Sequence, residues 1–381
     1  MTIAEQAKPC RVAMIGQYGI PAAYGGVERA VEELGAELAE RGLQVTVYCS
    51  SRRAKPLSLY RGMQLRSVPE IRGKFLGKLS QAGFSSLDAI FRRYDIVHFH
   101  AMGPCVYAPL IRLLRPDVVV CSTIHSRDDL FEKWKGPARW FFKIAAFCAI
   151  KVPHQVMVVS DNLREQVKVE FGTEATVVRN GVATVPAHGQ AEELDRWGLT
   201  PERYVLAVGR LVHEKATDDL IAAFALVSTD WKLVIVGEHA HTSSFSDAVR
   251  ELAARDNRVI LTGSVYGAPL DALYRHAGAF ALPSRLEGMP VVLLEAIGYG
   301  LPVIVSDIAP NLEVVQSCGP GHRVFRVGSI RALAEAIETV VSNNHDECEG
   351  AKKLRDRVLK EFSWAQAAAI TEQVYSSCLR R

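Results

Sequence analysis

The chain has 381 residues, 49% hydrophobic and 23% charged, with a formal net charge of +3 at neutral pH. These values exclude a collagen-like chain, a disordered tail and a small disulfide scaffold, and the length favours two domains that can each bury a core. No run of about 18 apolar residues is present, so a membrane-spanning helix is not expected, and the opening MTIAEQAKPC lacks the apolar stretch of a signal peptide.

In chain order the pattern alternates between strand and helix. RVAMIGQ (11–17) reads as a strand, and VERAVEELGAELAERG (27–42) as a helix whose apolar residues recur at helical spacing and whose stop is Gly42. Strands follow at 44–50, 95–100, 117–125, 155–160 and 175–180. These runs are apolar on both faces and separated by helices, as in a buried parallel sheet. The polar, Pro- and Gly-containing stretch 183–202 reads as a linker. The alternation then restarts with strands at 204–210, 232–238, 258–264, 278–284 and 301–307. After about residue 329 the chain reads as helical, with Ser363 a candidate N-cap for a final helix that could pack back on the first unit. The expected architecture is two doubly wound units, 1–185 and 186–362, with 363–381 returning to the first. In such sheets ligands sit outside the carboxyl ends of the strands, here expected to face a cleft between the units.

Charge is uneven: residues 1–185 carry a net +8 and residues 186–381 a net −5. Between 52 and 93, Arg52, Arg53, Lys55, Arg61, Arg66, Arg72, Lys74, Lys78, Arg92 and Arg93 face only Glu70 and Asp88. This suggests an anionic partner, a phospholipid surface or a phosphorylated acceptor, or else a solvated basic face. The segment 131–151 mixes Lys133, Lys135, Arg139, Lys143 and Lys151 with Trp134, Trp140, Phe141, Phe142 and Phe147. It reads either as an interfacial helix or as a core helix with one wet face. The eight cysteines, scattered without a C-x-x-C pair, point to reduced thiols in a cytosolic protein.

Four clusters close predicted strands. Gly25 and Gly26 precede the first helix, where bare backbone amides favour an anion; a simple tight turn is the alternative. Gly209-Arg210-x-x-x-Glu214-Lys215 places two cations at a strand end, suited to a diphosphate leaving group whose charge grows as its bond to a sugar breaks. The alternative is a surface ion-pair set with Glu214. Glu287 and Glu295 straddle a loop-to-helix junction with Pro290 suited to the first helical turn, too far apart to form one acid/base pair. Glu295, in an apolar helix, needs a partner: a ligand hydroxyl or a structural hydrogen bond. His125 ends an apolar strand after Thr123, with Asp128 and Asp129 close behind to orient it or to bind substrate; a structural role is the alternative. No D-x-D and no His/Cys metal spacing occurs, so no metal site is expected and protein cations must neutralise the diphosphate. A nicotinamide enzyme is disfavoured, because the first turn reads Gly16-Gln17-Tyr18-Gly19 rather than G-x-G-x-x-G. The basic stripes carry no nucleic-acid fold motif.

GGVER (25–29), NGV (180–182), GRLVHEK (209–215) and LPSRLEGMPVVLLEAIGYGLPVIVSD (282–307) together resemble the retaining glycosyltransferase family 4, of GT-B fold, over nearly the whole chain. GEHAHTSSFSDAVRELA (237–253) and YGGVERAVEEL further resemble bacterial members that build cell-surface polysaccharides. The resemblance implies that Arg210 and Lys215 hold the donor diphosphate with the amides at Gly25 and Gly26. It implies that Glu287 and the amides of Gly288, Met289 and Pro290 contact the transferred sugar, and that Glu295 binds the ribose. His125 would lie beside the sugar, and Gly263 to Tyr266, Val265 included, against the base. Ala216 departs from the pattern where glycine often follows the lysine, as does Ser126 after the histidine. The implied reaction is metal-independent transfer with retention, without a cofactor, from a nucleotide-sugar, UDP-sugar favoured. The acceptor would be a saccharide, lipid-linked at the inner membrane face, for an enzyme that is cytoplasmic or peripheral. A soluble enzyme tailoring a natural product would use the same donor site, and a non-catalytic GT-B module would be expected to lack Lys215 or Glu287.

Overall fold

The computed structural model describes residues 9–22, 25–73, 76–130, 136–182, 185, 189–238, 244–316 and 319–380. Lys74, Lys133, Trp134, Lys135 and Cys318 lie outside the described residues. The chain divides into one compact unit of residues 1–180 with 363–381 and a second of residues 181–362.

The first unit contains the strands β1 (Arg11–Ile15), β2 (Gln44–Ser50), β3 (Leu59–Tyr60), β4 (Met63–Val68), β5 (Ile96–His100), β6 (Val119–Ile124), β7 (Gln155–Val158) and β8 (Thr176–Val177). They form one sheet in the order β3-β4-β2-β1-β5-β6-β7-β8, parallel apart from the β3–β4 hairpin. Its helices are α1 (Gly26–Glu40), α2 (Leu76–Ile90), α3 (Ala108–Leu114), α4 (Pro137–Lys151) and α5 (Asp161–Phe171). Strand residues such as Val12, Met14, Val45, Val47 and Ile96 are fully or almost fully buried, which is why these runs read apolar on both faces. Within this unit α1 packs on the sheet and on the C-terminal helix, while α2, α3 and α4 pack in sequence against one another.

The second unit is a six-stranded parallel sheet, β9 (Tyr204–Val208), β10 (Lys232–Val236), β11 (Val259–Gly263), β12 (Ala279–Leu282), β13 (Val303–Ser306) and β14 (His322–Phe325), in the order β11-β10-β9-β12-β13-β14. Around it lie α6 (Thr217–Phe224), α7 (Ser244–Ala253), α8 (Ala268–Arg275), α9 (Val291–Gly298), α10 (Ala309–Val315), α11 (Ile330–Ser342) and α12 (Asn344–Glu361). Gly237, just past β10, has φ +137°, and a Cβ there would sit 2.0 Å from the Gly209 carbonyl oxygen. Only glycine lets these two strand ends approach, and Gly209 immediately precedes Arg210.

The helix α13 (Trp364–Leu379) belongs to the first unit. Its Trp364, Ala367, Ala368, Val374 and Tyr375 are buried in one cluster with Ala30, Val31, Leu34 and Leu38 of α1. Arg41 fastens the same pair of helices, donating to the Ala365 carbonyl at 3.0 Å and pairing with Glu372 at 3.3 Å. Ser363 occupies the N-cap position, but its hydroxyl caps no backbone amide. Packing, rather than a side-chain cap, fixes where this helix starts.

The polar stretch read as a linker is part of the second unit. Ala191–Trp197 forms a 3-10 helix with Leu194 buried, and His276, next after α8, contacts the Gly189 carbonyl at 3.3 Å. Where the chain enters and leaves this unit, the Val182 amide donates to the Phe362 carbonyl at 3.0 Å.

Candidate active site

In the second unit, β9 ends at Val208, so Gly209 and Arg210 emerge at the carboxyl edge of the sheet. Arg210 is exposed and its guanidinium has no hydrogen-bond or ion-pair partner among the described residues. Lys215 closes a single 3-10 turn, His213–Lys215, and is followed by Ala216 in the left-handed region at φ 49°. That conformation costs a non-glycine residue on the order of 1 kcal/mol, so the alanine strains the turn without displacing the lysine.

The Lys215 ammonium lies 2.5 Å from Glu287 Oε1, with side chains 19% and 11% exposed. In place of a surface set with Glu214, Lys215 thus makes a largely covered pair between two sequence-distant loops. Glu287 also accepts from the Ser284 hydroxyl at 2.6 Å. Behind it, Ser306 donates to the Ser284 carbonyl at 2.6 Å, and the Asn311 amide donates to Ser306 at 3.0 Å. Arg285 ties the same loop to the lysine turn. Its amide donates to the Glu214 carbonyl at 2.9 Å, and its guanidinium donates to the His213 carbonyl at 2.8 Å and to Asp219 at 2.7 Å. Ser284, Arg285, Ser306 and Asn311 were not among the sequence-derived candidates. Their signal was a polar residue at or just past the end of each apolar strand, Ser284 and Arg285 after β12 and Ser306 closing β13.

Gly288, Met289 and Pro290 are buried and lead into α9. Pro290 is the residue before the helix, with ψ 100°, rather than a member of its first turn; its carbonyl accepts from the amides of Leu293 and Leu294. Glu295 is half-buried and accepts from Tyr274 at 3.2 Å, so it has a structural partner on α8. Tyr274 stacks on Tyr299 with ring centroids 5.2 Å apart. Val265, half-exposed, sits in the loop between β11 and α8 beside the exposed Tyr266.

In the first unit Gly25 and Gly26 are exposed at the start of α1. The following glutamates draw the loop after β1 onto that helix: Glu28 accepts from the Tyr18 amide at 3.1 Å and Glu32 from the Ala22 amide at 2.5 Å. The Tyr18 ring carries Arg53 at 4.3 Å and Lys78 at 5.2 Å. His125 follows β6 and is half-buried, its Nε2 3.2 Å from Nδ1 of the fully buried His100. Burial pushes His125 down to about 3, with the nearby Lys78 charge acting in the same direction, so the ring is neutral at physiological pH. Asp128 accepts from Ser126 at 2.5 Å, and Asp129 pairs with Arg127 at 2.7 Å. His98 and His100 escaped the sequence reading because they lie inside a strand read only for its apolar pattern.

Much of the basic excess at 52–93 is neutralised within the unit. Arg53 pairs with Glu70 at 2.9 Å, Arg61 with Glu33 at 2.9 Å, and Arg66 and Arg92 with Asp88 at 2.5 and 3.5 Å. Lys78 lies 3.7 Å from Glu28. Arg52, Lys55, Arg72 and Arg93 are exposed without ion pairs among the described residues. The expected anion-binding stripe is therefore about half structural. Among the described residues no three His, Cys, Asp or Glu side chains converge as metal ligands, and the described cysteines are free thiols.

Comparison with known proteins identifies two matching family models. Residues 190–359 match glycosyl transferases group 1, and residues 24–185 match Glycosyltransferase Family 4. A glycogen synthase of Mycobacterium tuberculosis is 28% identical over 314 residues, 76% of this chain and 70% of that protein. An alpha-maltose-1-phosphate synthase of Mycolicibacterium smegmatis is 27% identical over 96% of this chain and 98% of its own length. Among solved structures, sucrose-phosphate synthase from Thermosynechococcus elongatus superposes with TM-score 0.82 at 19% identity, covering 97% of this chain and 99% of the other. Anabaena HepE in complex with UDP-glucose gives TM-score 0.79 at 16% identity, with 96% and 99% covered.

Proposed function

Because the chain belongs to glycosyltransferase family 4 and has the GT-B fold, we propose that it moves a sugar, with retention and without a metal, from a UDP-sugar to a saccharide acceptor in cell-surface polysaccharide synthesis. The observation that carries this reading is the Lys215–Glu287 pair, between the loops that follow β9 and β12, with Arg210, exposed and without a side-chain partner among the described residues, on the same loop as the lysine. An ammonium has three donors. Lys215 can therefore keep Glu287 and still meet a diphosphate oxygen, while Arg210 offers a planar fork to the phosphates.

As the glycosidic C–O bond to the diphosphate breaks, its electron pair stays on the leaving phosphate oxygen, where the two cations stabilise it. The acceptor hydroxyl attacks on the same face. Its proton passes to a diphosphate oxygen, so no protein nucleophile is required. Glu287 and the amides of Gly288 to Pro290 hold hydroxyls of the transferred sugar, with His125 beside it. Glu295 takes the ribose, the segment at Val265 meets the base, and the amides at Gly25 and Gly26 assist with the diphosphate. A uridine donor is chosen on the ligands of HepE, which holds UDP, UDP-glucose, or UDP with glucose, although Starch Synthase IV from Arabidopsis thaliana holds ADP.

We further propose a lipid-linked acceptor at an anionic membrane surface, on the strength of α4. Trp140, Ile144 and Phe147, 71%, 57% and 56% exposed, project from one helix face beside Arg139, Lys143 and Lys151, and the helix has no acidic residue. The neighbouring α3 exposes Leu113 and Leu114, α2 exposes Phe84 and Leu87, and Phe91 is exposed directly after α2. Apolar side chains among cations suit the boundary between acyl chains and anionic headgroups. No described helix is long and apolar enough to cross a membrane.

A thermal-shift screen of UDP-, GDP- and dTDP-sugars tests the donor, since a ligand held only by the folded state raises its stability with saturation. The expected result is stabilisation by UDP-sugars, followed by transfer with the donor's anomeric configuration in the product. Absence of a shift with all three sets, or an inverted product, would refute the proposal.

A further inference from the structure

The first unit carries two fully buried imidazoles, His98 and His100, that the transfer chemistry above does not use. His98 and His100 lie two apart on β5 and so share a strand face, with ring centroids 4.1 Å apart. His98 is fixed at both nitrogens: Nδ1 is 2.7 Å from the Tyr375 hydroxyl of α13, and Nε2 is 2.7 Å from the Thr123 hydroxyl of β6. His100 is packed beside it, its Nδ1 3.2 Å from His125 Nε2. The other nitrogen of His100, Nε2, is buried and has no partner among the described residues. On His125, Nε2 is taken up by His100, which leaves Nδ1 as the atom available to a ligand.

Burial drives all three rings to the neutral form, and a neutral imidazole carries one N–H. Four proton placements exist for the His100–His125 contact. Two of them set a pair of donors or a pair of lone pairs against each other. A third has His125 donate from Nε2, which puts the His100 proton on its unpartnered Nε2 and buries an unsatisfied N–H. The fourth has His100 donate from Nδ1, and the unpartnered atom is then only a lone pair. Orphaned buried donors are rarer than under-satisfied acceptors, and a ring's tautomer follows the hydrogen bond made by its other nitrogen.

We propose that His100 is a positioning residue that donates its Nδ1–H to His125 Nε2, holds His125 in the Nδ1–H tautomer, and makes it present a hydrogen-bond donor to an oxygen of the transferred sugar. The last step rests on the placement of His125 beside the sugar. His98, clamped between α13 and β6, keeps the His100 ring from turning.

Long-range proton–nitrogen spectra of the full chain, labelled with 15N at histidine and free of ligand, read the tautomer directly; the His125 signals are assigned by their loss in His125→Ala. The wild-type protein should show His125 protonated on Nδ1 and bare on Nε2. In His100→Leu the ring should revert to the Nε2–H form that a free histidine side chain favours, and His100→Asn, whose amide can stand where Nδ1–H stood, should restore the Nδ1–H form. With UDP-glucose as probe donor, kcat should fall at least about tenfold in His100→Leu and recover in His100→Asn. Wild-type His125 protonated on Nε2 overturns the inference, as does an Nδ1–H form that survives His100→Leu. Should His100→Leu fail to fold, the wild-type spectrum decides alone. Full turnover by His125→Ala would instead remove His125 from the sugar site and leave the tautomer result standing.

Discussion

Replacing Lys215 by alanine separates catalysis from folding. The substitution removes the ammonium 2.5 Å from Glu287, leaving that carboxylate with the Ser284 hydroxyl at 2.6 Å. Breaking a fully buried pair costs about 3–5 kcal/mol, and an exposed one about 0–1 kcal/mol. With side chains 19% and 11% exposed, and with one hydrogen bond retained, this pair falls between, at about 1–2 kcal/mol. The second unit should therefore remain folded at 25 °C, since whole domains are stable by about 5–15 kcal/mol. The barrier is affected more. Losing one fixed donor to developing negative charge costs about 2.7–4 kcal/mol, a factor of about 100 to 1,000 in kcat. Urea unfolding followed by circular dichroism measures the first quantity, and steady-state release of nucleoside diphosphate measures the second. A folded Lys215→Ala protein turning over within about fivefold of wild type refutes the role given to this cation, because uniform loss of stability cannot be separated from catalysis only when the protein unfolds.

Glu295→Ala should weaken the donor by about tenfold, near 1.4 kcal/mol, and a 2′-deoxyribose donor should lose the same amount on the wild type but nothing further on the variant; additive losses would remove Glu295 from the ribose. The buried histidines set an acid limit. The folded state keeps His98 and His125 down to about 3 and His100 well below its usual range, whereas the unfolded chain titrates near 6.5. Between these values the unfolded state binds more protons, so the stabilisation is complete above about pH 6.5 and drains as pH falls toward 3, at up to about 1.4 kcal/mol per unit per ring. Urea midpoints from pH 7.5 to 4.5 should fall less steeply in His98→Leu than in wild type, and equal slopes would contradict the account. Trp140→Glu with Phe147→Glu should reduce sedimentation with anionic vesicles by at least about tenfold, given about 2 kcal/mol of apolar burial lost per side chain; undiminished binding, or none by wild type at low salt, would discard the membrane surface.

The two-unit organisation was readable because both sheets are parallel and covered on each side. Their strands must then be continuous apolar runs, and eleven such runs stand at the observed strands. β4 and β14 were not readable, since MQLRSV, next to the edge hairpin strand β3, and HRVF, at the edge of the second sheet, place arginines at half-buried positions where no apolar run is required. The cations at 210 and 215 and the glutamate at 287 stood out by motif. What held them did not: Ser284, Ser306 and Asn311 act through hydroxyl and amide contacts between residues that only the fold brings together. The same limit explains the basic stretch, whose charges look unopposed in sequence while Glu28 and Glu33 of α1 and the local Glu70 and Asp88 neutralise half of them in space.

The docking of α13 imposes an order on biogenesis. Residues 363–380 complete a core whose other members were synthesised before residue 181, so the ribosome must deliver the entire intervening unit first. At about 5–20 residues per second the nascent sheet waits roughly 10–40 s with the α1 groove bare, long enough for a chaperone to occupy it. Val182 and Phe362, bonded at the base of the inserted unit, then bring the late helix back to the point where the early chain left off.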